Sequence, residues 1–244
     1  MARKPTPSRS SARTSRNPSK PQPATTSGDN KSPRERVIAA FMTLLAEKPI
    51  EQIGFAEIAS GAGVSLAELR AMFNSTLAIY AAQMKEIDRL GLAGNDPDMA
   101  EEPPRERLFD VLMRRIETLA PYKEAVRSLL RSAARNPGLA IALNAMAVRS
   151  QRWMLEAAGI GASGPRGALR AQGAALMFAR VLAVWIDDDE PGLDRTMAAL
   201  DRGLASAERW AGFVNDLCAI PCALRGPRRR RRPANEGAAE ADAA

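Results

Sequence analysis

The sequence predicts an all-α protein: an N-terminal three-helix helix-turn-helix unit followed by a C-terminal helical bundle, with disordered basic tails at both ends. Three observations predict it. From residue 33 onward apolar residues recur at i, i+3, i+4 and i+7, and no stretch sustains the alternation of a strand. Pro and Gly divide the chain into pieces of helix length. Residues 1–36 contain no Val, Ile, Leu or aromatic residue, so no apolar face offsets the entropy of ordering them. The expected organisation is an arm over 1–32, a helical unit over 33–92, a bundle over 104–216 and an Arg-rich tail over 217–244.

Each element has its own local cause. Ser32 is placed to cap the first helix, Pro33 suits its first position, and Glu35 closes a capping box. Val37, Phe41, Leu44 and Leu45 then form one stripe, and Lys48 and Pro49 end it. Two short helices, about 55–61 and 66–72, flank the run Gly61, Ala62, Gly63, Val64, Ser65. A longer helix over about 75–91 has Leu77, Tyr80, Met84, Ile87 and Leu90 on one side. The acidic, Pro-punctuated stretch 93–104 reads as a boundary. Helical patterns follow over about 104–119, 122–135, 138–157, 165–187 and 192–214, separated by Pro121, Pro137, Gly159 to Pro165, and Pro191.

Composition narrows the function. The chain of 244 residues has a formal net charge of +7, no His and two Cys. Without imidazole there is no Ser-His-Asp triad, Cys-His pair or His-ligated zinc, so binding is expected rather than catalysis, with no cofactor and no metal. Cys218 and Cys222 cannot form a disulfide framework, which points to a reducing, cytoplasmic setting; at the end of the chain they read as inert thiols. Arg180 interrupts the longest apolar run, from Gly173 to Ile186, so no membrane span is expected.

The charge sits in the tails. Residues 1–32 carry seven Lys and Arg against one Asp, and residues 223–244 carry six Arg against three acids, five of the arginines being consecutive at 228–232. The start lacks the apolar core of a secretory signal and the apolar face of a transit peptide, so it reads as a solvated arm that meets polyanions.

The motif over 54–80 carries the functional expectation. Two short helices around a tight turn make a helix-turn-helix: Ala59 lets them cross closely, Gly63 supplies the left-handed turn, and Ile58, Val64 and Leu69 share a core. Ser65 and Glu68 form a second capping box. Such a second helix lies in the major groove of double-stranded DNA with its N-terminal residues toward the bases.

On the capped first helix, Ile58, Ala59, Ala62, Gly63, Val64, Ser65, Leu69, Phe73 and Ser75, the chain resembles the TetR family of transcriptional regulators. The resemblance implies a homodimer, most often a repressor, with two N-terminal readers on successive major grooves and a C-terminal bundle enclosing a small hydrophobic ligand. It places Ser65, Leu66, Ala67, Arg70 and Asn74 in or beside the groove, and Ser75 and Thr76 near the backbone. The chain departs from the family's pattern at four positions that usually hold phosphates. Gly54 stands for Thr or Ser, Glu68 for Thr, Arg70 for Tyr and Thr76 for Lys. Glu68 turns a carboxylate toward the duplex unless its cap draws it inward, and Arg70 replaces the missing tyrosine contact. Residues 33–92 hold six basic and seven acidic groups, so the tails are expected to supply the nonspecific attraction.

Residues 105–117, 120–126 and 184–192 also resemble the TetR-like lipid-binding accessory protein of ubiquinone biosynthesis. That resemblance implies the alternative of a lipid binder without specific DNA binding. Trp153, Phe178 and Trp185 are candidates for lining a ligand cavity, though aromatics at helical spacing equally form a core or a dimer interface. The apolar face of Leu176, Phe178, Val181, Leu182, Val184 and Trp185 predicts a helix covered on several sides. The run Asp187 to Glu190 reads as a helix junction in which Asp189 or Glu190 caps the next helix, rather than a metal site.

Overall fold

The computed structural model describes residues 1, 31–94, 99 and 101–224, with side chains as far as 209. The expected arm and most of the Arg-rich tail, and the side chains of Cys218 and Cys222, lie outside the described residues. Among the described residues there is no strand. The helices are α1 (Pro33–Glu47), α2 (Phe55–Ala62), α3 (Leu66–Met72), α4 (Thr76–Ala93), α5 (Pro104–Leu119), α6 (Lys123–Arg135), α7 (Pro137–Ala157), α8 (Gly164–Trp185) and α9 (Asp194–Leu224). Single 3₁₀ turns stand at Ile50–Gln52 and Ala120–Tyr122.

Local chemistry starts α1 as its residues require. Ser32 Oγ accepts from the Glu35 amide at 3.3 Å, and the Ser32 amide donates to Glu35 Oε2 at 2.7 Å, satisfying two of the amides a helix start leaves unpaired. Val37, Phe41 and Leu45 are fully buried, joined by Ile53, Ile58, Leu69, Phe73 and Ile79 in a core that closes α1 to α4 into one unit. Each such side chain contributes about 1.5–3 kcal/mol on leaving water. A second core gathers Leu108, Leu112, Ile116, Met154, Phe178, Val181, Trp185 and Leu200 from α5, α7, α8 and α9. Met84 and Ile87 of α4 reach into it, so α4 belongs to both units.

Helix α6 joins the two units. It packs along α1, where Ser128 Oγ donates to the Lys48 carbonyl at 3.0 Å. The same first turns hold the turn between α8 and α9: Lys123 Nζ donates to the Asp188 carbonyl at 2.7 Å and pairs with Asp189 at 2.8 Å. Arg127 pairs with Asp187 at 3.2 Å and donates to the Ile186 carbonyl.

Four expectations need correction. Asp188, not Asp189 or Glu190, caps α9: its Oδ2 accepts from the Thr196 amide at 2.8 Å and hydroxyl at 2.6 Å, and these bonds hold its carboxyl below the usual range. Leu176 is 50% exposed, because the stripe of α8 that faces the core runs through Phe178, Val181 and Trp185. Leu90 is exposed likewise; the inward stripe of α4 continues through Ile87, Asp88 and Gly91 instead. The α9 backbone also stays helical beyond 216, through the apolar residues 217–220. Helix α8 has the length and mean hydropathy (1.2) of a membrane span, and its packing between α7 and α9 accounts for that composition.

Candidate nucleic-acid interface

The turn between α2 and α3 is built from backbone geometry. Gly63 sits at φ +61°, a left-handed conformation that a side chain disfavours. Its amide donates to the Ser60 carbonyl at 3.2 Å, and the Val64 amide donates to Ala59 at 3.0 Å, which closes α2. Arg36 of α1 reaches the same end, donating from Nε to the Ala62 carbonyl at 3.0 Å. Ser65 then opens α3. Its Oγ accepts from the Glu68 amide at 3.2 Å, while Glu68 Oε2 accepts from the Ser65 amide at 2.7 Å and hydroxyl at 2.8 Å. Those donors hold the Glu68 carboxyl below its ordinary value and fold it back onto the helix start.

That inward turn decides what α3 offers outward. Leu69 is buried, whereas Ser65, Leu66, Ala67, Arg70 and Asn74 lie on the open side, all five exposed. Arg70 Nη1 donates to Asn74 Oδ1 at 2.7 Å, so the cation of α3 is held against the Asn74 amide on the same open side. Ser75 caps α4 by accepting from the Ala78 amide at 3.1 Å; it and Thr76 are half-buried at the rim of this face. Gly54 starts α2 with no side-chain cap, and Phe55 beside it is exposed.

Most cations of this unit already have partners. Arg34 lies over the Phe73 ring at 4.7 Å, Lys48 pairs with Glu57 at 2.5 Å, and Arg89 pairs with Glu86 at 2.6 Å. Of the six cations in 33–92, Lys48 and Arg89 are the ones ion-paired among the described residues, while seven carboxylates stand against the six, a balance that limits attraction to phosphates.

In the C-terminal unit the three aromatic candidates part company. Phe178 and Trp185 are buried in the core, and Trp153 is 63% exposed on the outer face of α7. The polar residues there went unmarked in the sequence. Arg115 of α5 is buried and pairs through Nε with Asp88 of α4 at 2.8 Å. Ser150 of α7 donates to the same Asp88 oxygen at 2.9 Å, and the Phe178 ring lies 4.8 Å from the guanidinium carbon. Tyr80 stands close enough to feel both charges, and burial pushes its hydroxyl up to about 12. A signal did exist: Asp88 falls in phase with Met84, Ile87 and Gly91, and Arg115 with Leu108, Leu112 and Leu119. Among the described residues no group of His, Cys, Asp and Glu could hold a metal ion.

No family model matches the chain, and no curated protein matches it. Solved structures do. A TetR transcriptional regulator from Nitrosomonas europaea is 20% identical with a TM-score of 0.57, the match covering 73% of this chain and 99% of that one. A TetR transcriptional regulator from a Rhodococcus species is 22% identical with a TM-score of 0.50, covering 72% of this chain and 95% of that one. At such identities the likeness is one of fold: the chain has the fold of TetR regulators.

Proposed function

We propose that the protein is a TetR-type transcriptional regulator that binds operator DNA as a homodimer, most simply as a repressor, and answers to a small hydrophobic ligand held by its C-terminal unit. The observation that carries this reading is the outward face of α3. Ser65, Leu66, Ala67, Arg70 and Asn74 are accessible together, and the carboxylate that would repel a phosphate backbone is folded into its own cap. In the groove, Ser65, Arg70 and Asn74 offer hydrogen bonds to base edges, Leu66 and Ala67 offer apolar contact to thymine methyl groups, and Ser75 and Thr76 lie toward the sugar-phosphate backbone. The arginines of both tails add attraction independent of sequence.

Pairing of two chains is supported by α8. Leu169, Gly173 and Leu176 lie along one face, both leucines exposed, at a spacing that suits a helix seam, and a seam of this kind is self-complementary about a two-fold axis. A selection of genomic fragments bound by the full-length protein tests the function, with light scattering for the dimer. Enrichment of a near-palindromic site with half-sites about one helical turn apart is the expected result. A dimer that enriches no sequence overturns it and favours the lipid-binding alternative, which the excess of seven acidic over six basic groups in 33–92 supports.

A further inference from the structure

A groove of about 620 Å³ runs between α6 and the end of α1 with the 3₁₀ turn that follows it. One wall holds Glu47 and Glu51; the other is a stripe of α6 in which Ser128, Arg131, Ser132 and Arg135 recur at helical spacing. The groove lies beside the bond from Ser128 to the Lys48 carbonyl, apart from the interior of the C-terminal unit. Its charges are opposed but not joined. Lys48 pairs with Glu57, and Glu124 with Arg127, whereas Glu47, Glu51, Arg131 and Arg135 are exposed and have no ion partner among the described residues. Ser132 adds a second feature. It lines the groove at 6% exposure, and its hydroxyl has no hydrogen-bond partner among the described residues, so both its donor and its acceptor capacity are open to a bound molecule.

This lining selects what fits. A lone anion drawn to Arg131 and Arg135 also meets Glu47 and Glu51, and a lone cation drawn to the glutamates meets the arginines. An apolar molecule leaves the four charges and the Ser132 hydroxyl as they are. A molecule that carries both charges, held apart by its own chain, serves both walls at once. We propose that this groove binds a small zwitterion of the ω-amino-acid class, its ammonium toward Glu47 and Glu51, its carboxylate toward Arg131 and Arg135, and Ser132 Oγ donating to that carboxylate. An occupant bridges the end of α1 and α6 whether or not α3 meets DNA, so the site stands independently of the reading of the protein as a regulator.

The test uses the full-length protein without DNA. Calorimetric titrations near neutral pH and at low ionic strength compare 6-aminohexanoate, hexanoate and hexylamine, which share one carbon chain and differ in charge. Because the pairings are exposed to solvent, each wall adds a modest factor, and 6-aminohexanoate is expected to bind at least about five-fold tighter than either singly charged compound. Arg131→Gln and Glu51→Gln change exposed side chains outside both cores, and each is expected to weaken 6-aminohexanoate by about three- to five-fold. Arg149→Gln, on the exposed face of α7, is expected to leave its binding unchanged. Hexanoate binding as tightly as the zwitterion reduces the groove to an anion site and overturns the proposal; hexylamine doing so reduces it to a cation site and overturns it equally. So does the absence of 6-aminohexanoate binding, or binding that Arg131→Gln and Glu51→Gln both leave unaltered.

Discussion

Replacing Arg115 by Met removes the cation from a pair whose side chains are 6% and 13% exposed and whose N–O distance is 2.8 Å. Breaking one partner of a buried pair costs about 3–5 kcal/mol, because the other charge stays behind. Two features set the expectation at the low end, about 3 kcal/mol: Ser150 still donates to Asp88 at 2.9 Å, and the aspartate edge is within reach of water. Removal of the stacking on Phe178 acts in the same direction as the broken pair. For a chain of this size that corresponds to a fall in Tm of about 6–12 °C. Urea unfolding of wild type, Arg115→Met, Asp88→Asn and the double variant, at one protein concentration, measures the coupling. The double variant leaves a neutral amide that still accepts from Ser150 and is expected to recover to within about 1 kcal/mol of wild type. If Arg115→Met costs less than about 1 kcal/mol, or if the two single effects simply add, the pair is not the tie between α4 and α5.

Three further outcomes follow from the reader and the tails. Arg70→Ala is expected to weaken operator binding by about 1–3 kcal/mol with fold and dimer unchanged; an unaltered footprint removes Arg70 from the interface. Deleting residues 1–31 and 225–244 is expected to flatten the dependence of affinity on salt while sequence preference persists, the log–log slope falling by about 0.9 for each phosphate that is no longer neutralised. The Glu68 carboxyl lies below its ordinary value of 4.5 when folded, so it favours the folded state above that pH, and the benefit disappears as pH falls through the lowered value. Wild type is therefore expected to resist urea better than Glu68→Gln near neutrality, with the gap closing in acid; a gap independent of pH contradicts the cap.

How much of this could be read from residues alone depended on the distance between partners. The boxes Ser32–Glu35 and Ser65–Glu68 are legible because both partners lie within one turn, and the structure forms both. Gly63 is legible because the turn's demand is local. Asp88 and Arg115 stand 27 residues apart, and the sequence offered only two charged groups in apolar stripes, without saying that they meet. Trp153 misled through its size. Its neighbours on the helix face, Arg149, Arg152 and Glu156, are exposed too, and that phase outranks the preference of indole for an interior. Asp188 went unrecognised as a cap because the loop folds back eight residues before the helix amide it serves.

The position of α6 has a mechanical consequence. Ser128 grips the end of α1 while its neighbour Arg127, with Lys123 at the helix start, grips the corner from which α9 departs, so both grips fall on the first turns of α6. The end of α1 and the α8–α9 corner therefore hang on one short stretch of helix, and neither can shift without dragging on the other.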